Sequence, residues 1–400
     1  MNEPSMPSRP RLADGLEPGR LRQELTGEAP PPLSVVRADL PDVTPMSFTG
    51  EGAEYFRIWV VNLLLTIVTL GIYSAWAKVR KMRYFWQNTR LASHVFDYHA
   101  NPWAILRGRV IALVLLGAYS WAFEFSTVAG LVTIGALFVT GPWLFLKAQR
   151  FKLGNSSHRG LRFGFDSTTA QAYRIIAPIL ALWFSATVLT VVATDSMWPI
   201  GIASLATGLG IPWMHHRLKS YQHAFATYGD RRFAFEPSLV SFYWVYAKGF
   251  VLVLLGGIAG GLLTVPFMWT LGRGDDDPSR IGLLVMSALY GLGVYVFAWP
   301  YLAARLQQVV WDATRLGDVR FHTIIEAWPL GRLVAKNVLL TLATAGLYWP
   351  FASVALARYR VGCMRVSADL PFAVIAAGTH APSGATGDAS ADAFGLDIGL

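Results

Sequence analysis

Three histidines within one short stretch, His215, His216 and His223, are the nearest approach to a metal-ligand set in this 400-residue chain. On a helix His216 and His223 share a face, but two turns separate them by about 10 Å. A tetrahedral ion needs convergent ligands, so packing is the expected role. His94, His99, His158, His322 and His380 are scattered. The run Asp275-Asp276-Asp277 offers oxygen ligands to a hard cation, and reads better as a solvated tip between two apolar segments. Nucleophilic catalysis lacks its parts: there is no Gly-x-Ser-x-Gly elbow, and the single cysteine, Cys363, has no histidine beside it. No Walker motif occurs. The chain is therefore expected to carry no catalytic residues, no metal and no cofactor.

Cations and amides at fixed spacing remain. Arg80, Lys147, Arg217 and Arg305 each lie five residues after Ala75, Pro142, Pro212 and Pro300. An aromatic residue stands at +1 (Trp76, Trp143, Trp213, Tyr301), an arginine at +20 in three units (Arg162, Arg232, Arg320), and a phenylalanine closes each unit at +21 (Phe96, Phe163, Phe233, Phe321). Arginine forks suit phosphate, so these cations are candidates for a ring that contacts lipid headgroups or anions. Simple anchoring to anionic lipid, worth about 1 kcal/mol per charge, is the plainer reading. The second candidate set is Asn62, Thr66, Asn337 and Thr341, with Thr69 and Thr344. These polar residues sit inside apolar segments, where they either bond between helices or face each other across a central site, as broken helices do in transporters.

The elements that carry these residues must be membrane helices. Apolar residues make up 54% and charged residues 15%. The apolar residues fall in eight blocks, near Ile58–Ala77, Val110–Phe125, Val128–Leu146, Ile175–Thr194, Trp198–Met214, Phe250–Leu271, Ile281–Leu302 and Leu333–Ala352. Each approaches the 20 or so residues that cross a bilayer, and in lipid the backbone must satisfy itself as a helix. The four long loops, 78–109, 147–174, 215–248 and 303–336, hold 23 basic and 7 acidic residues. The short tips 124–127, 195–197 and 272–280 hold 2 and 5. By the positive-inside rule the long loops face the cytoplasm. The net charge of +9 is thus explained by membrane topology rather than by nucleic acid. Gly256-Gly257 and Gly260-Gly261 lie within a block and imply close helix packing.

The expected fold class is an all-α polytopic membrane protein of repeated helical-hairpin units with short interfacial β elements. After each basic stretch a turn is predicted at Asn88-Thr89, Gly154-Asn155, Gly229-Asp230 or Gly317-Asp318, followed by short strands such as 96–98, 163–165 and 233–235. Asn101-Pro102 and Asp166-Ser167 read as helix starts. Asn62–Tyr84 aligns without gaps with Asn337–Tyr359, identical at 11 of 23 positions. Eight simple crossings would place these two copies in opposite orientations. Either both bend back, at Thr69-Leu70-Gly71 and Thr344-Ala345-Gly346, leaving six crossings, or all eight cross and Arg358, Arg360 and Arg365 lie outside. The charge rule favours the bend.

These residues resemble the YjgN-type family of bacterial inner-membrane proteins of unknown function. The likeness rests on Phe48-Thr49-Gly50, Glu54-Tyr55-Phe56, Thr69-Leu70-Gly71-Ile72-Tyr73, Trp76-Ala77-Lys78-Val79-Arg80, Arg83-Tyr84, Asn88-Thr89 and Phe96-Asp97-Tyr98. It implies a multi-pass inner-membrane location and no particular activity. The expected organisation is a disordered cytoplasmic arm over 1–45, a membrane domain of about five related units over 46–372, and a disordered tail over 373–400. Two functions are compatible with this: a transporter or channel-like protein for a small solute or lipid, and a non-transporting module that binds anionic lipid or a protein partner through a basic cytoplasmic face.

Overall fold

The computed structural model describes residues 43–192, 197–271 and 280–368. Nearly all of the predicted arm, the whole of the predicted tail, and the acidic tip 275–277 lie outside them. The described chain alternates strand pairs with helix pairs. After β1 (Thr44–Pro45) and β2 (Ser47–Phe48) come α1 (Gly52–Val68), α2 (Ser74–Gln87), β3 (Thr89–Leu91) and β4 (His94–Tyr98). Then follow α3 (Pro102–Phe125), α4 (Thr127–Gly154), β5 (Ser156–His158), β6 (Leu161–Phe165), α5 (Thr169–Val192), α6 (Trp198–Ala224), β7 (Ala226–Tyr228) and β8 (Arg231–Phe235). The last part is α7 (Leu239–Leu271), α8 (Arg280–Asp312), β9 (Thr314–Leu316), β10 (Val319–Thr323), α9 (Ala327–Ala343), α10 (Trp349–Gly362) and β11 (Met364–Ala368).

The all-α expectation is wrong. All eleven strands join one antiparallel sheet in the order β1-β11-β10-β9-β8-β7-β6-β5-β4-β3-β2. The two ends of that order, β1 and β2, are separated in sequence only by Met46. Thr44 and Pro45 pair with Val366 and Arg365, while Ser47 and Phe48 pair with Arg90 and Thr89. The Met46 amide donates to the Met364 carbonyl at 3.0 Å. The segment 44–48 is thus a clasp that brings the first and last units together and leaves the sheet nearly closed, which limits the exposed strand edge.

The register explains the phenylalanine spacing. Phe96 pairs with His158, Phe163 with Tyr228, Phe233 with Leu316 and Phe321 with Val366. Their rings stack inside the ring of strands: Phe96–Phe163 at 6.4 Å, Phe163–Tyr228 at 4.8 Å, Phe233–Phe321 at 6.2 Å. Phe48, Leu91, Leu316, Phe321 and Val366 complete this core, onto which Tyr55 of α1, Phe85 of α2 and Val361 of α10 also pack. The +21 position is therefore the inward face of β4, β6, β8 and β10.

Two of the predicted turns are misplaced. The hairpin tips are Ala92-Ser93 and Arg159-Gly160, all four residues with positive φ, and Gly229-Asp230 and Gly317-Asp318. Asn88 and Asn155 instead bond back to the last turns of α2 and α4, at the Tyr84 and Phe151 carbonyls, both at 2.8 Å. Asn101 does cap α3, accepting from the Trp103 amide at 3.0 Å. The start of α5 falls later than predicted, where Thr168 and Gln171 form a reciprocal capping box.

Each helix pair leaves the sheet and returns to it. Among the described residues, five helices are long and apolar enough to cross a membrane, over Pro102–Phe125, Thr127–Gly154, Thr169–Val192, Leu239–Leu262 and Val285–Asp312. The helix α6 is less apolar, yet the chain that departs along α5 comes back to β7 along it. Predicted blocks one and eight are not continuous helices. Between α1 and α2 the Gly71 amide reaches the Thr66 carbonyl at 2.8 Å and the Leu70 amide reaches Ile67 at 3.1 Å, the pattern of a Schellman stop. Gly346 and Ala345 repeat both bonds at the same distances. Gly71 and Gly346 both have φ 92°, and Leu70 and Ala345 both have φ 49°. The Thr69 and Thr344 hydroxyls brace the bend, donating to Leu65 and Leu340 at 2.7 Å and accepting from Tyr73 and Tyr348. Both copies therefore turn back toward the sheet at the two predicted bends.

Candidate functional site

The predicted +5 cations lie on the returning helices α2, α4, α6 and α8, and three of them hold to aromatic rings. Lys147 sits over Trp143 at 5.8 Å and Arg217 over Trp213 at 5.4 Å; Arg80 instead uses Tyr73 at 5.8 Å. Such pairs add about 0.5–1 kcal/mol where exposed. Arg217 also donates to the Ile175 and Arg174 carbonyls, at 3.1 and 2.8 Å. Arg305 is exposed and bonds Gln308 at 2.8 Å. These residues occupy equivalent positions on four successive returning helices.

The +20 arginines lie one residue from an inward phenylalanine and so project from the outer wall of the sheet. Arg162, Arg232 and Arg320 are exposed, as are Arg90 and Arg315. Arg232 donates to the Ala224 carbonyl at 2.8 Å and lies over Phe225 at 4.6 Å, so one edge caps the end of α6. Arg162 reaches Gly154 at the end of α4, at 3.5 Å. Arg320 stands directly opposite Arg315, a like-charge pair that a sheet tolerates only with solvent or an anion present. Among the described residues, the ion pairs formed by carboxylates are His99–Asp97 at 3.7 Å and Arg231–Asp230 at 3.9 Å. The wall is cationic.

Among the described residues no hydrogen bond joins the two intramembrane amides. Asn62 of α1 and Asn337 of α9 are buried, but α1 packs on α2 and α10, whereas α9 packs on α8 and α10. Asn337 points across its own hairpin to the Ala352 carbonyl at 3.5 Å. Thr66 and Thr341 donate to the carbonyls of Asn62 and Asn337, at 2.6 and 2.7 Å. A shallow, open depression of about 570 Å³ lies elsewhere, lined between α5 and α6 by Leu182, Leu189, Trp198, Ile202 and Ala206.

The histidines also diverge. His215 meets the Tyr246 hydroxyl at 2.8 Å, His216 the Pro237 carbonyl at 3.5 Å, and His223 the Thr314 hydroxyl at 3.1 Å. Among the described residues no group of His, Cys, Asp or Glu could hold a metal ion. His158 is sealed in the sheet core, with Nδ1 at 3.2 Å from the Tyr228 hydroxyl and Nε2 at 3.3 Å from the Leu91 carbonyl. Burial pushes its pKa down to about 4.

A set that the sequence reading missed lies on the returning helices at +7. Gln149, Lys219 and Gln307 are all buried there, and Gln307 accepts from Arg360 Nε at 2.7 Å. Polar residues recurring at one buried helical position were the available signal. Tyr84 and Tyr359, matched in the two aligned copies, had been given no role: Tyr84 bonds both the amide and the carbonyl of Glu51 at 2.8 Å, and Tyr359 the Glu326 carbonyl at 3.1 Å. Each ties a returning helix to the start of its outgoing partner.

Relatives agree with a membrane setting. The chain is 25% identical to inner membrane protein YjgN of Salmonella typhimurium over 354 residues, covering 81% of this chain and 88% of that protein. It is 27% identical to inner membrane protein YjgN of Escherichia coli O157:H7 over 345 residues, covering 77% and 84%. No solved structure matches it. Residues 43–393 match the family described as bacterial protein of unknown function (DUF898), and that match takes in the clasp, every helix pair and the whole sheet. This chain therefore belongs to the DUF898 family and is a multi-pass inner-membrane protein of YjgN type.

Proposed function

We propose that this protein is a non-transporting membrane module that gathers anionic lipid headgroups around a basic collar on its cytoplasmic face. The observation that carries this reading is the division of the sheet into two faces. The inner face is filled by aromatic and aliphatic side chains, whereas the outer face exposes Arg90, Arg162, Arg232, Arg315 and Arg320. A filled interior favours binding over conduction through the ring. The +5 cations, three of them over aromatic rings, lie on the helices that lead into this wall, and long cationic side chains can reach headgroups from an apolar stem. The excess of basic residues in the long loops supports a cytoplasmic sheet. Asn62 and Asn337 lie in hairpins with different helix neighbours besides α10, which supports binding over transport.

The test is native mass spectrometry of detergent-purified protein after exposure to mixed phosphatidylglycerol and phosphatidylcholine. Exchanging Arg80, Lys147, Arg217 and Arg305 for Gln lowers phosphatidylglycerol retention and leaves phosphatidylcholine unchanged. Equal retention of phosphatidylglycerol by the variant and the parent would remove the proposal.

A further inference from the structure

The two short hairpins end well below the far tips of the long ones, and contacts with their neighbours fix by how much. Trp76 of α2 meets Trp103 of α3 with ring centres 4.9 Å apart, and Arg109 of α3 donates to the Ser74 hydroxyl in the first turn of α2. The bend at Thr69-Leu70-Gly71 is therefore level with the first third of α3, which runs on from Arg109 to Phe125, about 24 Å further. In the other copy a Cβ at Gly331 of α9 would lie 3.8 Å from Pro300 of α8. From that level α9 rises to Ala343, about 18 Å, while α8 extends to Arg280, about 30 Å away. Both bends thus stop roughly 12–24 Å short of the far ends of the adjoining long helices.

The tips are made for hydrocarbon. No Asp, Glu, Lys or Arg occurs from Ile58 to Ala77 or from Asn337 to Ala357. Leu70 is 94% exposed, and Ile67, Val68, Ile72, Leu342 and Leu347 are exposed beside the two bends. Every amide from Thr69 to Ser74 bonds within its own hairpin, that of Tyr73 to the Thr69 hydroxyl and the others to carbonyls. The amides from Thr344 to Trp349 repeat this, with Tyr348 on the Thr344 hydroxyl. A reversal in water can leave donors to the solvent, whereas one in lipid must satisfy them itself. The two hairpins also stand side by side. Phe56 of α1 meets Phe351 of α10 at 5.6 Å, and Arg358 of α10 donates to the Gly50 carbonyl at 2.7 Å. The short helices α1, α2, α9 and α10 thus form one block between α3 and α8.

We propose that this block is a wedge seated in the sheet-side leaflet alone, its tips covered by acyl chains of the opposite leaflet, and that the protein therefore favours membrane that is convex on the sheet side. Four helices, each about 10 Å across, add roughly 300 Å² to one leaflet and nothing to the other. The inference goes beyond the headgroup reading and does not rest on it. The test uses the full chain in vesicles of phosphatidylglycerol and phosphatidylcholine, with Cys363→Ser throughout. A fluorophore at Leu70→Cys or Leu347→Cys is expected to be quenched several-fold more strongly by lipids with a nitroxide near the chain end than by lipids with one near the headgroup. An impermeant quencher should reach it from neither side. A dye at Asp318→Cys, on a hairpin tip of the sheet, then follows the protein into thin tethers drawn from giant vesicles, with an impermeant reductant to tell the two orientations apart. Molecules with the sheet outside should concentrate about 2-fold in the tether, and those with the sheet inside should be depleted by a similar factor. Leu70→Lys combined with Leu347→Lys lifts the tips toward the headgroups and is expected to abolish both effects, whereas Leu70→Ala with Leu347→Ala retains them. Should the lysine variant not fold, the two orientations of the parent still oppose each other as controls. Quenching by the impermeant reagent from the far side shows a complete crossing, and stronger quenching near the headgroup shows shallow seating; either overturns the wedge. Tips shielded from both nitroxide lipids are covered by protein, a second copy or another chain, which overturns it too. Equal densities of the two orientations in the tether overturn the curvature preference.

Discussion

Substituting Gly260 by Ala tests the helix contact on which the third long hairpin depends. A Cβ built at Gly260 of α7 would lie 2.8 Å from Tyr290 Cα, 2.9 Å from the Tyr290 carbonyl oxygen and 3.1 Å from that of Leu289. These are backbone atoms of α8 and cannot rotate away. Restoring ordinary van der Waals separation, about 3.4 Å or more, requires the helices to part by roughly half an ångström. Gly256 and Gly293 belong to the same contact: a Cβ at Gly293 would meet the Gly256 carbonyl at 2.6 Å. Parting at one point therefore loosens the whole stripe, and overpacking of this kind costs about 1–3 kcal/mol. Gly261 is the control, since nothing lies within 4 Å of its Cβ position. There alanine brings only its better helix propensity, a gain of up to about 1 kcal/mol. The two substitutions share a helix and a propensity term, so their difference isolates the clash at about 1–3 kcal/mol. Unfolding by denaturing detergent, monitored by tryptophan fluorescence, measures it. Equal midpoints for Gly260→Ala and Gly261→Ala would refute the close-packing argument.

Other outcomes follow from single contacts. Met46→Pro removes the amide that bonds Met364, and should cost at least about 1 kcal/mol by unfinished pairing alone, read as a lower thermal midpoint. Tyr84→Phe leaves the Glu51 amide without its hydroxyl partner and should cost about 1 kcal/mol, with amide exchange rising at the start of α1 while the remote Tyr359 contact keeps its protection. His158, with its pKa lowered to about 4, stays neutral in the folded state while the unfolded chain takes up a proton below about 6.5. Its share of stability is thus complete above pH 6.5 and is lost as pH falls toward 4. That loss approaches roughly 3 kcal/mol; His158→Gln should flatten this part of the pH–stability curve, and an unchanged slope would contradict burial as the cause. Ala345→Gly relieves a left-handed alanine and should be neutral or stabilising by up to about 1 kcal/mol in thermal unfolding.

The helices were legible because apolar length is a strong and local signal. The sheet was only half legible. Phe96, Phe163, Phe233 and Phe321 marked one inward position in four units, yet β3, β5, β7 and β9 are three residues long and too short to show an alternating pattern. Asn88 and Asn155 misled because the residue types that favour turns also cap helix ends. The clasp could not be seen at all: Thr44 pairs with Val366 across almost the entire membrane domain, and no local periodicity reports such a partner. The Arg360–Gln307 contact was hidden for a related reason. It joins different positions of adjacent units, while the spacing argument compared like positions only.

The orientation conflict between Asn62–Tyr84 and Asn337–Tyr359 shows how far sequence identity could go. The identities at Thr69/Thr344, Gly71/Gly346 and Tyr73/Tyr348 are the residues of the bend itself. The threonine hydroxyl joins the outgoing helix to the tyrosine amide beyond the turn, and the glycine takes φ 92°, a conformation that disfavours a side chain. What the two copies share is thus the geometry that reverses the chain. A helix pair that reverses after 17 residues begins and ends at the sheet, so like sequences keep like orientation without an odd crossing. The same requirement governs α5 and α6. A lone crossing by α5 would leave β7 on the wrong side of the bilayer from β6, its hydrogen-bonded neighbour. Sheet pairing therefore demands that α6 return, despite its lower apolarity.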